Sequence, residues 1–280
     1  NILRTHLLRP TWHFVLPEDI RWLLKLTAPK IKVLTKYQHQ KRGMDNLLLK
    51  KSKQIITKAL TKEKKLTRIE LMQTLNMGKI NTKDGRITFY LLDAELDGLI
   101  CSGGRIGKQF AYTLLDRIPT YPILTRDESI TELAKRYFLS RGPATVQDFS
   151  WWSGLNITDA KKGILFNKDI LTSELVDRNQ YWFSNNIKNL LPPKNKVYML
   201  PAFDEYALAY KDRSSILAQQ YYKETSAGLK PLCIASGKTL GMWRPYSEQK
   251  KCFIELHQFN QFVSNKLLSS ARKKYFEFIS

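Results

Sequence analysis

Residues 141–155, RGPATVQDFSWWSGL, constrain the fold of this chain more than any other stretch. Thr145 and, three residues on, Asp148 form a capping box, which starts a helix at Val146. That helix carries Phe149, Trp151 and Trp152 and stops at Gly154. Asn156 and Thr158 offer caps for a second short helix through Phe166. Upstream, Ile130, Leu133, Ala134, Tyr137 and Phe138 recur at helical spacing over residues 128–140. Downstream, LTSELVD and QYWFS, separated by Arg178 and Asn179, read as a two-stranded hairpin. Three helices followed by a hairpin is the winged form of the helix-turn-helix, a unit that docks on nucleic acid.

The same order recurs earlier. A long helix is expected from Asp45 to about Leu60, with Leu47, Leu48, Ile55, Ile56 and Ala59 on its apolar side. A capping box at Thr67 and Glu70 opens a short helix over residues 68–75, and the Asp84-Gly85 turn leads into a helix over 86–97. LIC, GGRIGK and QFAYTLLD then read as strand, turn and strand. The chain opens on ILRTHLLR and TWHFVLP, a hairpin broken at Pro10, followed by a helix from Ile20 to about Leu34 with Pro17, Glu18 and Asp19 at its positive end. Residues 36–43 read as a basic connector. A hairpin with nothing before it to pack on is marginal, so this opening reads as the wing of a unit whose helices lie upstream.

Pro119 and Pro122 mark one join, and Pro192 and Pro193 another. After them KVYMLPAFDEYALAYKDRSSIL, PLCIASGKTLGMWRP and KKCFIEL alternate like short strands of a barrel-like module. An amphipathic helix over 258–278 closes the chain, with Phe262, Leu267, Leu268, Ala271, Tyr275 and Phe278 inward. The expected class is α+β: tandem winged helix-turn-helix units, a small C-terminal β-barrel-like module and a terminal helix. The expected segments are 1–37 (remnant of a first winged helix), 38–120 (second), 121–190 (third) and 191–280 (β-rich module).

Charge narrows the partner. Lys and Arg number 46 against 25 Asp and Glu, a formal +21 with a pI near 9.8. Residues 1–68 hold 17 basic and 4 acidic side chains, so they carry +13 of that surplus. A polyanion repays such a charge, because each phosphate neutralised by Lys or Arg releases a condensed counterion. Double-stranded DNA is the expected partner. No apolar run of about 18 residues offers a membrane span, and the N-terminus lacks a signal-peptide layout. Cys101, Cys233 and Cys252 are odd in number and far apart, and His6, His13, His39 and His257 lack ligand spacing. A reducing cytoplasm, with the protein at the nucleoid, and no metal or other cofactor are expected. The expected state is a monomer, with association through the incomplete N-terminal unit as the alternative.

Several segments in order carry a family resemblance: LRTHLLRPTWHFVLPEDIRWLL, LDGLICSGGRIGKQFAYTLLD, AKRYFLSRGPATVQDFSWWSGL, LPAFDEYALAYKDR and GMWRP. Together they resemble the AlkZ-type winged-helix DNA-binding proteins, a family that includes bacterial DNA glycosylases acting on alkylated bases and interstrand crosslinks. The resemblance implies tandem winged helices around duplex DNA, a β-barrel, and hydrolysis of an N-glycosidic bond without metal. It also implies a Gln-x-Gln motif in the first winged helix, positioning the attacking water. That motif is expected upstream of ILRTHLL. Gln38-His39-Gln40 lies in the connector and is rejected as its substitute. The chain as given is therefore expected to be N-terminally incomplete and inactive as a glycosylase, and its catalytic residues are unknown.

Candidate DNA contacts follow from the wings. Arg4, His6, Arg9, Trp12 and His13 occupy the first hairpin, where strand alternation puts Arg4 and His6 on one face; Trp12 and His13 are otherwise core and cap residues. Arg105, Lys108 and Gln109 lie on the glycine-rich wing turn, where the backbone can approach a phosphate. Arg141 stands at the edge of the short helix of the third unit. Trp151 and Trp152 are expected to be mainly core, one of them partly exposed. Asp204, Glu205, Tyr206, Lys211, Asp212 and Arg213 form a polar cluster, either an ion network or a group facing the DNA cleft. Two functions stay open: a repair glycosylase, or a non-catalytic winged-helix DNA-binding protein such as a transcriptional regulator.

Overall fold

The computed structural model describes residues 2–187, 196–248, 251–259 and 265–279. The chain divides into two compact units, residues 1–136 with 153–167 and residues 137–152 with 168–280. Both are built from antiparallel sheets and helices, so the chain is α+β.

In the first unit, β1 (Leu3–Leu7) and β2 (Thr11–Val15) form the expected hairpin. The helix α1 follows over Ile20–Lys41, α2 over Asn46–Lys62, the short strand β3 over Leu66–Thr67, α3 over Arg68–Met77 and α4 over Arg86–Leu96. The strands β4 (Ile100–Ile106) and β5 (Gln109–Leu114) complete a sheet of order β2-β1-β4-β5-β3. The hairpin at the start of the chain is thus continuous with the later one, through the pairing of Arg4 with Ser102.

Capping sets the helix starts. Asp45 accepts from the backbone N–H of Leu48 at 2.7 Å to begin α2. Thr67 and Glu70 make the reciprocal box that begins α3, and Gly85, at φ 74°, turns the chain into α4. The core beneath them includes Leu49, Ile56, Leu60, Leu71, Leu75, Tyr90 and Leu91.

The expected connector at 36–43 is instead the last two turns of α1. The buried stripe Ala28, Ile31, Thr35, His39 keeps helical period, but its last two members are polar and escape a hydrophobic pattern. Thr35 donates to the carbonyl of Ile31 at 3.0 Å, and the His39 ring meets Phe89 edge-on at 5.7 Å. Burial lowers the pKa of His39, which favours the neutral ring. Asp19 does not cap α1 with its side chain; it accepts from Trp22 Nε1 at 3.0 Å and from Arg136 at 2.5 Å.

The helix α5 (Arg126–Arg141) starts at a further capping box, Thr125 with Glu128. In the first unit its N-terminal part packs on α7 (Ile157–Leu165), where Gly163 is required: a Cβ there would lie 2.7 Å from that of Ala134. Asn167 ties the two helices by donating to the carbonyls of Thr131 and Gly163.

The second unit begins with an aromatic cluster. Tyr137 lies 5.1 Å from Phe138, 5.2 Å from Phe149 and 5.1 Å from Trp152, the last two on α6 (Val146–Ser153). The capping box at Thr145 and Asp148 is formed as expected. β6 (Leu171–Val176) and β7 (Asn179–Ser184) make a ribbon whose turn is Asp177-Arg178, one residue earlier than the sequence suggested. Both residues have positive φ, 46° and 65°, as a two-residue turn matched to strand twist requires.

The remaining strands, β8 (Val197–Leu200), β9 (Leu232–Ala235), β10 (Lys238–Glu248) and β11 (Lys251–Gln258), form a sheet of order β11-β10-β9-β8. Among the described residues β8 and β11 do not pair, so the sheet is open and the barrel is not closed. Residues 205–208, expected in a strand, form the helical turn α8 (Glu205–Leu208), capped by Asp204. The terminal helix α9 is Asn265–Ile279, while Gln258 belongs to β11. Leu268 and Ala271 are buried, and Tyr275 meets Trp243 at 5.1 Å. Phe278, expected inward, is 87% exposed because it falls beyond the reach of the sheet's core cluster. Phe262 lies outside the described residues.

Candidate nucleic-acid interface

Strand register in the first unit assembles a cationic and aromatic face. Arg4 pairs with Phe14 and with Ser102, His6 with Trp12, and Arg105 with Phe110. The Arg4 guanidinium lies 4.4 Å from the ring centre of Trp12 and 3.8 Å from that of Phe110. The Arg105 guanidinium lies 4.7 Å from the same Phe110 ring, and Phe14 meets Phe110 at 6.2 Å. Each such pairing contributes roughly 0.5–1 kcal/mol where it is exposed. Trp12 is 42% and Phe14 68% exposed, on the edge strand β2.

Of the expected DNA-facing residues, the structure therefore brings Arg4, Trp12 and Arg105 together and adds Phe14 and Phe110. Alternation along β2 and β5 put those two phenylalanines on this face, but nothing local announced that the two strands share a sheet. Lys108 and Gln109 are exposed at the β4–β5 turn, where Gly107 has φ 57°. Arg9 stands in the β1–β2 turn, half-buried, and His13 places Nδ1 3.1 Å from the carbonyl of Thr11.

His6 shares the face of Arg4 but lies beneath the surface, so the expectation that both meet DNA fails for its ring. It is 5% exposed, and its Nδ1 pairs with Oε2 of Glu95 on α4, which is 0% exposed. Burial pushes the Glu95 carboxyl pKa up, against the opposing pull of His6 and Arg4. The same buried environment and the nearby Glu95 raise the Tyr112 phenol to about 12.

The electrostatics of the unit are divided. Glu18, Asp19, Asp127, Glu128 and Glu132 line a groove of about 670 Å³ floored by Trp22, Tyr121 and Phe166. Arg136 lines the same groove and pairs with Asp19 and Glu132, leaving a net acidic lining there against the cationic Arg4 and Arg105 face.

In the second unit, Arg141 donates to Glu205 Oε2 at 3.3 Å and to Ser140 Oγ at 2.8 Å, and lies 4.9 Å from the Trp152 ring. Glu205 also accepts from Trp152 Nε1 at 2.7 Å. Arg213 is buried, donating to the carbonyls of Ala207 and Ala227. Asp204 caps α8, Tyr206 donates to the carbonyl of Gly237, and Lys211 and Asp212 are exposed. Asp204, Tyr206 and Arg213 thus hold backbone, and Glu205 pairs with Arg141 from outside the cluster. Trp152 is buried and Trp151 partly exposed, as expected. Among the described residues, no three His, Cys, Asp or Glu side chains group as metal ligands, and no helix is long and apolar enough to cross a membrane.

An α+β chain with antiparallel sheets and a terminal helix has the fold of a solved DNA glycosylase. It superposes on Streptomyces sahachiroi DNA glycosylase AlkZ with a TM-score of 0.75 at 19% identity, covering 96% of this chain and 77% of that one. The family model of the AlkZ-like DNA glycosylases matches residues 1–274, and the chain belongs to that family. No individually curated protein matches the sequence.

Proposed function

We propose that this protein binds duplex DNA and is of the repair-glycosylase type, its family's chemistry being hydrolysis of the N-glycosidic bond of an alkylated or crosslinked nucleotide. The observation that carries the reading is the face on which Arg4 and Arg105 stack against Trp12 and Phe110. Stacked on aromatic faces, Arg105 is exposed and offers its N–H groups to phosphate, Arg4 is half-buried and shares a hydrogen bond with Tyr112, and exposed Trp12 and Phe14 offer rings to sugars and bases. The formal +21 and the family match support the same partner.

Two segments have the order helix, capped helix, helix, hairpin: α2, α3, α4, β4–β5 and α5, α6, α7, β6–β7. In this reading they are tandem winged helices, and the C-terminal sheet is a partial barrel. In this reading Gln38 and Gln40 are not the family's motif; Gln38 is bonded to Arg42, and both sit on α1.

Duplex binding measured by fluorescence anisotropy across a salt series tests the grip. Replacing both Arg4 and Arg105 by Ala should flatten the slope of log affinity against log salt by about 2, roughly 0.9 for each phosphate no longer neutralised. An unchanged slope would remove this face from the interface. Base release from alkylated and crosslinked duplex is assayed in parallel. Release supports the glycosylase reading, and binding without release supports a non-catalytic DNA-binding protein.

A further inference from the structure

The second unit carries a half-open cavity of about 640 Å³ that the proposed DNA-binding face does not use. Its walls carry four tyrosines from separate elements: Tyr181 on β7, Tyr206 on α8, Tyr210 just after it, and Tyr222. Gln147, in the first turn of α6, and Lys211 stand at its rim.

The walls are fixed. Tyr206 donates its hydroxyl to the carbonyl of Gly237 at 2.9 Å, and Tyr210 to that of Arg141 at 2.8 Å. Asp148 uses one oxygen on the N–H and hydroxyl of Thr145 and the other on the N–H of Lys211 and of Asp212. That carboxylate therefore clasps two walls together, and exposed Asp212 adds a second carboxylate to the lining beside Lys211.

The faces that remain are unpartnered. Among the described residues none of the four tyrosine rings stacks on another ring or under a cation, unlike Tyr137 with its three ring neighbours. The side chains of Gln147 and Lys211 are exposed and make no hydrogen bond or ion pair among the described residues. Volumes of about 300–1,000 Å³ are those of small-molecule pockets. Aromatic walls accept a planar ring, an amide reads a donor–acceptor edge, and an ammonium suits a phosphate.

We propose that this cavity binds a nucleobase, stacked on the tyrosines and read by Gln147, with the attached phosphate on Lys211. The base could come from a free mononucleotide or from an unpaired position in DNA. Only the second source rests on the DNA reading above.

Calorimetric titration with dGMP and with deoxyguanosine tests the first source. Anisotropy of a duplex with one unpaired guanine, against a fully paired duplex of equal length, tests the second. Tyr181→Leu and Gln147→Ala should each weaken dGMP binding about ten-fold, the value of a single base stack or edge hydrogen bond. Lys211→Ala should weaken dGMP but leave deoxyguanosine unchanged, and its exposed side chain keeps folding out of the question. Preference of the wild type for the unpaired guanine, abolished in Tyr181→Leu while paired-duplex affinity stays, assigns the site to DNA. Binding of dGMP without that preference assigns it to free nucleotides. The proposal is overturned if the wild type shows neither, or if all three variants match it. Failure to bind any duplex would sink the DNA reading alone, since the dGMP titration still decides the cavity.

Discussion

The two helix, capped helix, helix, hairpin segments differ most in what becomes of the hairpin. β4–β5 lies inside a five-stranded sheet, with β1 on one side and β3 on the other. Ala111, Tyr112 and Thr113 are all buried there, so the strand is covered on both faces. β6–β7 is a two-stranded ribbon, extended among the described residues by a bridge between Ala144 and Trp182. Its Leu175 is 75% exposed. One element order thus serves either as the centre of a core or as a two-stranded ribbon with Leu175 and Val176 exposed, and side-chain burial beyond the hairpin decides which.

The largest test of this contrast is apolar truncation. Leu71→Ala, in the core beneath the first segment, should cost about 3 kcal/mol, and Leu175→Ala under about 0.5 kcal/mol, by urea titration. A comparable loss at Leu175 would mean that the ribbon is packed, and would end the comparison. The boxes at Thr67 and at Thr145 give a middling effect. Glu70→Ala removes an exposed cap partner and should cost about 1 kcal/mol. Asp148→Ala also strands the N–H groups of Lys211 and Asp212, which raises the expected cost to about 2–3 kcal/mol. Equal shifts in Tm for the two variants would contradict that second role.

The smallest effect separates the carboxylates by pH. Hydrogen bonds from Thr67 hold the Glu70 pKa below its usual value. Its stabilising contribution is therefore present above the unfolded pKa near 4.5 and lost as pH falls through the lower folded value. Glu95 has the opposite sign. Burial raises its pKa, so its proton favours the fold below 4.5, and that advantage is lost as pH rises through the folded value. Tm followed from pH 3 to 8 should lose the acid-side limb in Glu70→Gln and the limb above 4.5 in Glu95→Gln. The same profile for both variants would show that burial does not dominate at Glu95.

How much was legible in the sequence follows the range of each interaction. The boxes at Thr67 and Thr145 were readable because donor and acceptor are three residues apart, and the one at Thr125 and Glu128 could have been read the same way. The far half of α1 was hidden because Thr35 and His39 carry its buried stripe. His6 and Glu95 are 89 positions apart, so no local pattern could show that the histidine turns inward. Arg4 and Arg105 were found as charges, but their aromatic seats depend on β1 pairing with β4. The C-terminal strands were visible as alternation, which cannot say whether a sheet closes.

Arg4 also has a consequence for speed and cost. A free arginine gives up roughly 1.5–2 kcal/mol of rotamer entropy when it is immobilised. Held against Trp12 and Phe110, Arg4 has surrendered much of that freedom during folding. On the proposed interface, an anion arriving at its guanidinium would meet a group already aimed, without the ordering step that a solvent-roaming lysine would need.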